Sequence, residues 1–395
     1  MRHWLQTVTI CIWTGFVPVS MQNAQAEQLP DDVNPVSRSR LPPVDREELD
    51  PTRRETYDAA RRTADVGRDA MGAVALRLHG SGTDLRFSGP LGRRLTEIAI
   101  LTTARELDQP YEWALHELDA LAVGVDEALI DIVRHRKPTS GVGDPEAIIM
   151  DVGRELLTTR RLGADTYAQA LQVLGKTNLV DLIDLVGRYT STGATLTAVN
   201  QQMPMGWRQS LPLPFTYPDD IYPDSRSRLL LRPGPYQTSV SALYGRMASP
   251  GGIGPGQIRA YGEGVQTLEE RIGKRLEMLA VLLTARAHNS QHDWTMHEPL
   301  ALDAGLEREV IDIVKHRRAI GDLGDKDAAL VSLARELFRD HNVKADTYAR
   351  ARRAFGETDL VDIVALMGAH AADAVMLAGF DQQLPEGVDP LLPLP

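Results

Sequence analysis

From residue 45 onward, apolar residues recur at the three- and four-residue spacing of amphipathic helices. The segment GPLGRRLTEIAILTTAREL, for example, places Leu95, Ile98, Ala99 and Leu101 on one stripe. The segments DEALIDIVRHRK, DPEAIIMDVGRELLTT and TNLVDLIDLVGRYTSTGATLTAV continue this spacing. No segment sustains the period-two alternation that is typical of half-buried strands. We therefore predict an all-α fold.

The helical pattern occurs twice in the chain. Equivalent residues of the two copies differ in number by a constant amount, which is the difference between Gly92 and Gly273. We call this the repeat offset. About 40 of about 113 aligned positions are identical without a gap, which indicates an internal duplication. The other identical pairs include Arg105/Arg286, Trp113/Trp294, His116/His297, His135/His316, Arg154/Arg335, Tyr167/Tyr348 and Pro204/Pro385. We expect the two copies to pack as a pseudo-symmetric pair.

The pattern divides the chain into a signal peptide, a mobile lead-in, a first copy, a Pro-rich linker, a second copy and a Pro-rich tail. In this order the segments span 1–26, 27–44, 45–204, 205–235, 236–385 and 386–395. Arg2 and His3 precede an apolar run, and Ala24-Gln25-Ala26 fits the small-x-small cleavage pattern of export signals. We therefore expect a periplasmic or secreted protein that does not associate with the membrane after cleavage.

Charge and cysteine content exclude several classes of function. The formal net charge of −11 argues against nucleic acid as a partner, because phosphate backbones select basic surfaces. The single cysteine, Cys11, lies inside the predicted signal peptide. Cleavage would leave the mature chain without a thiol nucleophile, a disulfide or a thiolate metal ligand. A small anionic substrate held by local arginines stays compatible with this composition.

Candidate chemistry is concentrated in the segment YEWALHELDALAVG. Glu112 and His116 are four residues apart, so they share one helix face, and Glu97 lies on the preceding helix. A carboxylate against an imidazole can fix its tautomer and raise its basicity, which suits proton transfer near neutral pH. The alternative is an ordinary solvated pair on a helix surface. Glu97, Glu112 and His116 could also ligate a metal, but their convergence cannot be read from spacing, and we expect no metal.

Several other repeated residues have both a structural and a functional interpretation. His135 and His316 stand at predicted helix C-termini, where a cation complements the helix dipole. Arg105 and Arg286 could cap helix carbonyls or clamp a substrate carboxylate. Trp113 and Trp294 are core or pocket-wall candidates.

The segment GRRLTEIAILTTARELDQPYEWALHELDALAVGV resembles the carboxymuconolactone decarboxylase family, which shares its all-helical fold with alkylhydroperoxidase D. The resemblance covers most of both copies and implies two tandem AhpD-like domains. In the peroxidase branch of the family, a Glu, a Cys-x-x-Cys pair and a His form a proton relay. Glu97 and His116 stand at the Glu and His positions, but Gln109 and Glu112 stand at the cysteine positions. The resemblance therefore implies no thiol peroxidase activity.

The decarboxylase branch uses neither cysteine nor cofactor and acts on unsaturated lactone acids. The resemblance thus implies a cofactor-independent lyase or isomerase for a small cyclic lactone- or aromatic-derived acid, assembled as a homo-oligomer. His116, Glu97 and Glu112 would be catalytic. The expected substrate-binding residues are Arg94, Arg105, Tyr111 and Trp113. The alternatives are a non-catalytic binding or scaffold protein, and a peroxidase-like member of the family.

The two copies differ at the candidate site. The second copy keeps His297 but has Met278 where the first has Glu97, and the shorter Asp293 where the first has Glu112. A thioether cannot orient or charge-stabilise an imidazole as a carboxylate does. The second-copy equivalents, which also include Trp294 and Arg286, are therefore expected to support an active site in the first copy.

Overall fold

The computed structural model describes residues 29–63, 72–203, 206–207, 209–214, 218–232 and 255–394. The predicted signal peptide, with Cys11, lies outside these residues. The described residues from 32 to 394 form one compact unit, and residues 29–31 belong to a separate one. Within the described residues the fold is all-α: no β-strand forms, and only two isolated bridges occur, Asn34–Ser39 and Tyr222–Ser227.

The N-terminal half of the compact unit contains seven α-helices among its described residues. Two lead-in helices, α1 and α2, precede five helices that build the first core, α3 to α7. Their bounds are α1 Pro51–Thr63, α2 Gly72–Arg77, α3 Arg93–Glu106, α4 Pro110–Ala122, α5 Glu127–Arg134, α6 Glu146–Thr158 and α7 Ala164–Ala198.

The C-terminal half has five core helices in the same order as α3 to α7. Helices α8 and α9 lead in, α10 to α14 build the second core, and one π-turn, Glu336–Asp340, follows α13. The bounds are α8 Pro255–Arg259, α9 Leu268–Ile272, α10 Lys274–Ala287, α11 Gln291–Asp303, α12 Arg308–Lys315, α13 Asp325–Arg335 and α14 Ala345–Gly379. Helices α10, α11, α12 and α14 begin at the repeat offset from α3, α4, α5 and α7.

The long helices α7 and α14 cross closely through small residues. A Cβ atom added to Gly187 would lie 2.9 Å from the carbonyl oxygen of Ala372, and one added to Gly368 would lie 2.6 Å from Oγ of Ser191. The two contacts are reciprocal, because Gly368 is the counterpart of Gly187, and Ala372 that of Ser191, at the repeat offset. Such reciprocity is what a two-fold axis produces at an interface.

Each half completes its core with residues from the end of the other half's long helix. The first core, built around Trp113, Ile149 and Ile183, includes Val375, Met376, Leu377 and Phe380. The second core, built around Trp294 and Met367, includes Ala194, Leu196, Ala198 and Val199. Burial of apolar surface is the main stabilising contribution in folding, so the two halves depend on each other for stability.

Arg40, in the segment SRSRL at residues 37–41, donates hydrogen bonds to backbone carbonyls of both halves. The guanidinium of Arg40, 8% exposed, donates to the carbonyl of Leu162 at 2.8 Å and to that of Gly379 at 3.4 Å. Its Nε pairs with Asp32 at 2.7 Å. A buried arginine with these partners holds residues 32–41 against both halves. The lead-in expected over 27–44 therefore includes a stretch that packs against the helices.

The same segment recurs at residues 225–229, inside the predicted linker. Arg228 donates to the carbonyl of Val343 at 2.8 Å and to that of Ala198 at 3.2 Å, and it pairs with Asp220. These carbonyls are the counterparts, at the repeat offset, of the two that Arg40 contacts. This part of the 205–235 linker is therefore a packed element and not only a surface connection.

The helix α14 is long and apolar enough to cross a membrane, and it is the single such helix among the residues that the structure describes. However, 78% of its most apolar window is buried inside the protein. Its partners are α7, α10 and α13, so its apolar character is explained by its place in the core.

Candidate active site

The candidate site is built by α3 and α4 of the N-terminal half. Helix α4 begins after Gln109, whose side-chain oxygen accepts the N–H of Tyr111, with Pro110 at the first helical position. This start is favourable, because proline lacks the N–H that would be unsatisfied there. Four-residue spacing then brings Glu112 and His116 onto one face of α4.

The imidazole of His116 lies between two carboxylates. Its Nδ1 is 2.6 Å from Oε2 of Glu97, and its Nε2 is 3.2 Å from Oε2 of Glu112. All three residues are buried, with exposed fractions of 0% for Glu97, 2% for His116 and 5% for Glu112. The ring edge of Tyr189 on α7 packs against the imidazole at a centroid distance of 5.1 Å. The three predicted catalytic residues therefore converge in a dry environment.

Two carboxylates favour the protonated form of His116 in spite of its burial. Burial lowers the pKa of the imidazole, but interactions with Glu112 and Glu97 outweigh burial and raise the pKa above its usual value. A protonated imidazole donates from Nδ1 to Glu97, and Glu112 lies 3.2 Å from Nε2 as an ion-pair partner.

Arginines on the outer side balance the remaining negative charge. Arg93, one turn before Glu97 on α3, lies 2.7 Å from Oε1 of that carboxylate. Arg86 lies 2.7 Å from Asp119 and 3.9 Å from Glu97. The side chains of Arg93, Glu97, His116 and Glu112 therefore contact one another in succession, and we call this series the row.

Arg259, at the end of α8, faces the other end of this row. Arg259 is exposed, but partial desolvation lowers the pKa of its guanidinium, and the charge of Glu112 acts in the opposite direction. Within the described part of the chain the guanidinium of Arg259 forms no hydrogen bond or ion pair. A cation from the C-terminal half thus lies within electrostatic range of the last carboxylate of the row.

A possible metal-ligand set also occurs here. Ligand atoms of Glu97, His116 and Asp119 all lie within 4.8 Å of one another. The guanidinium of Arg93 lies 2.7 Å from Glu97 and 3.8 Å from Asp119, so it already neutralises both carboxylates. A cation bound here would have to displace that guanidinium, and the arrangement fits an organic relay better than a metal centre.

The four predicted substrate-binding residues have other partners. Arg94 pairs with Glu146, and Arg105 donates to the carbonyl of Arg134 at the end of α5 and pairs with Asp108. Arg105 therefore has the capping role that was its alternative interpretation. Tyr111 is 1% exposed and belongs to the core of the C-terminal half.

The tryptophans are core residues. Trp113 is fully buried, and its Nε1 donates to Glu117 and to Ser210. Trp294 is also fully buried and donates to Glu298 at 2.5 Å. Both indole N–H groups are thus satisfied by internal partners.

The equivalent position in the C-terminal half has a different electrostatic character. Nδ1 of His297 lies 2.7 Å from the backbone carbonyl of Asp293, and no described carboxylate bonds to its ring. Burial, with Asp373, raises the pKa of Asp293 to about 8. Burial lowers the pKa of His297, and it lowers those of His292 and His370 to about 4. At neutral pH this cluster is therefore uncharged.

The histidines at helix ends and Arg286 lie elsewhere. His135 is exposed and within 3.2 Å of Asp131 one turn earlier, as expected for a helix C-terminus. Arg286 donates to the side chain of Asn289 and lines a cleft in the C-terminal half.

Four contributors to the site were not singled out from the sequence. Arg93 could have been found, because it precedes Glu97 by four residues on the same helix. Arg86, Tyr189 and Arg259 come from a loop and from distant helices, and no local pattern marks them.

No protein-family model matches this sequence, and comparisons with curated proteins and with solved structures also give no match. The resemblance to the carboxymuconolactone decarboxylase family therefore stays a prediction from the residues of the chain.

Proposed function

We propose that the protein is a cofactor-independent lyase or isomerase that moves a proton on a small cyclic acid of lactone or aromatic origin. The observation that supports this proposal is the buried row Glu97–His116–Glu112, with hydrogen-bonding distances at both imidazole nitrogens. Burial of an ion-paired histidine and two carboxylates costs stability, and such clusters are concentrated where proton transfer is needed.

In this proposal Glu112 is the group that meets the substrate. His116 Nε2 is already occupied by Glu112, so a proton leaving the imidazolium passes first to that carboxylate. Glu112 then delivers the proton to the substrate, or takes one in the reverse direction. Glu97, held by Arg93, fixes the ring and stabilises its charged form.

Arg259 would bind a carboxylate of the substrate. Its charge is not paired within the described residues, and it acts on Glu112. A guanidinium placed there would hold an acid next to the proton donor and supply the positioning on which such catalysis depends.

We also propose that the two halves arose by internal duplication and belong to the AhpD-like fold. The equal order of the five core helices, the constant repeat offset and the reciprocal contacts of α7 and α14 support the duplication. The all-α architecture and the cysteine-free relay are compatible with the decarboxylase branch. Export of the chain and assembly into a homo-oligomer complete the proposal.

The test is a screen of lactone acids and aromatic acids, followed by absorbance and CO₂ release. Wild-type protein is compared with Glu112→Gln, which keeps the shape of the side chain but cannot exchange a proton. Asp293→Asn in the C-terminal half is the matched control. Turnover that Glu112→Gln removes and Asp293→Asn retains would support the proposal. Turnover that survives Glu112→Gln, or no turnover of any acid, would favour the non-catalytic binding or scaffold protein.

A further inference from the structure

A second charged feature lies away from His116, in a cleft of about 390 Å³ at the C-terminal end of α10. Four arginines without an ion pair among the described residues line it. They are Arg160, Arg286, Arg317 and Arg335. A fifth, Arg339, is paired with Asp340. Four uncompensated cations in one cleft are unexpected in a chain whose net charge is −11.

Two of these arginines carry buried nitrogens without a partner. Nη1 of Arg160 and Nε of Arg286 are both buried and form no hydrogen bond. Burial lowers the pKa of Arg160 to about 10, and burial together with Arg317 lowers that of Arg286. A buried donor left unsatisfied destabilises the folded protein. The cleft therefore holds donors that are suited to an acceptor from outside.

In the N-terminal half the equivalent arginines are neutralised by carboxylates. Arg105, Arg136 and Arg154 correspond at the repeat offset to Arg286, Arg317 and Arg335, and they surround two carboxylates. Glu106 lies 2.8 Å from Arg136 and 3.9 Å from Arg154. Asp108 lies 3.1 Å from Arg136 and also pairs with Arg105.

The C-terminal half keeps the arginines and has lost both carboxylates. Ala287 stands where Glu106 would be, and Asn289 stands where Asp108 would be. The backbone contacts of the arginines remain, since Arg317 still donates to the carbonyl of Arg286 and Arg335 still donates to that of Arg318. The arginine cluster of the C-terminal half thus has two fewer negative charges beside it, while the hydrogen bonds from its arginines to backbone carbonyls are retained.

We propose that this cleft binds a small dicarboxylate, whose two carboxylates take the positions of the missing Glu and Asp side chains. Two separate carboxylates fit better than one compact anion, because the N-terminal half satisfies its arginines with two groups on different residues. Leu283, Val314 and Phe338 line the cleft between the arginines and would contact the apolar body of the ligand. Bidentate pairing of guanidinium with carboxylate supplies the specificity.

The test is calorimetric titration of the whole protein with phthalate and glutarate, and with benzoate and inorganic phosphate as comparison probes. We expect one site per chain, with a dicarboxylate Kd at least tenfold lower than that of benzoate. The double variant Ala287→Glu/Asn289→Asp, which restores the internal carboxylates, should weaken binding at least tenfold. Arg318→Gln, an exposed arginine outside the cleft, is the matched control and should bind as wild type does.

The reverse exchange is made in the N-terminal half. Glu106→Ala/Asp108→Asn should create a second site, so that the stoichiometry rises from one to two. Arg317→Gln serves if either double variant fails to fold, and it should also weaken binding at least tenfold. Equal binding of benzoate, tighter binding of phosphate, or undiminished binding by the restored-carboxylate variant would each overturn the proposal. The outcome does not depend on the chemistry at His116.

Discussion

Asp293 provides a sensitive test of the electrostatics, because a buried, protonated carboxyl links stability to pH. Its pKa is about 8 in the folded protein, against 3.8 as the ordinary value. Between these values the folded state holds a proton that the unfolded state has released. Stability conferred by that proton is complete at low pH and is lost as the pH rises toward 8.

The magnitude follows from linkage. From about pH 5 to about pH 8 the loss approaches 1.4 kcal/mol per pH unit, which gives at most about 4 kcal/mol. Relaxation of the surroundings reduces this figure, and we expect at least about 1.5 kcal/mol. Asp293→Asn keeps the side-chain shape but cannot ionise, so the variant should become more stable than wild type as the pH rises.

The assay is urea unfolding of wild type and Asp293→Asn at pH 5.5 and pH 8. The measured quantity is the change in unfolding free energy between the two pH values, compared between the proteins. Asp303→Asn, an exposed aspartate at the end of the same helix, is the control. If wild type and Asp293→Asn lose stability in parallel, Asp293 is ionised in the folded protein and the description of an uncharged cluster is wrong.

Four further predictions follow from the site, the composition and the fold. His116→Ala and Glu97→Gln should each lower turnover at least tenfold, which corresponds to about 1.4 kcal/mol of activation barrier, while His297→Ala should retain most of the turnover. Equal losses of turnover in all three variants at unchanged stability would mean that both halves carry the chemistry. Thiol-dependent peroxide reduction should be absent from mature protein assayed with a dithiol donor, and robust turnover would contradict the missing nucleophile. N-terminal sequencing of protein from the periplasm should begin at Glu27 or a near neighbour, and an intact first methionine in the cytoplasm would refute export. Arg40→Ala should lower the unfolding free energy by about 2–4 kcal/mol, because it leaves buried carbonyls and an aspartate unpaired, and a loss below about 0.5 kcal/mol in urea unfolding would contradict a structural role.

Helical periodicity was sufficient to predict the all-α class and the face shared by Glu112 and His116, because both depend on local spacing. The arginine-bearing SRSRL segments were missed for a different reason. The step from Arg40 to Arg228 is longer than the repeat offset, so an alignment without gaps does not superpose them. The roles of Arg105 and Trp113 depend on partners brought by tertiary packing, which spacing along one helix does not contain.

The carboxylates missing beside Arg286 illustrate the same limit. The substitutions Ala287 and Asn289 are visible in the sequence, but their meaning depends on the arginines that gather around them. Arg317 comes from the turn after α12, Arg335 from the end of α13, and Arg160 from the other half. Only the folded structure shows the consequence. Glu106 and Asp108 neutralise the arginines of the N-terminal half, whereas Ala287 and Asn289 leave the equivalent arginines of the C-terminal half charged.

The exchange of helix ends between the two cores has a consequence for the growing chain. The first core lacks its contribution from residues 375–380 until the ribosome has made the end of α14. At a synthesis rate of about 5–20 residues per second, the nascent first half stays incomplete for roughly ten seconds or more. During that time its apolar surface is accessible to chaperones. An architecture in which the last helix of the second half closes the first core thus leaves that core incomplete until this helix has been made.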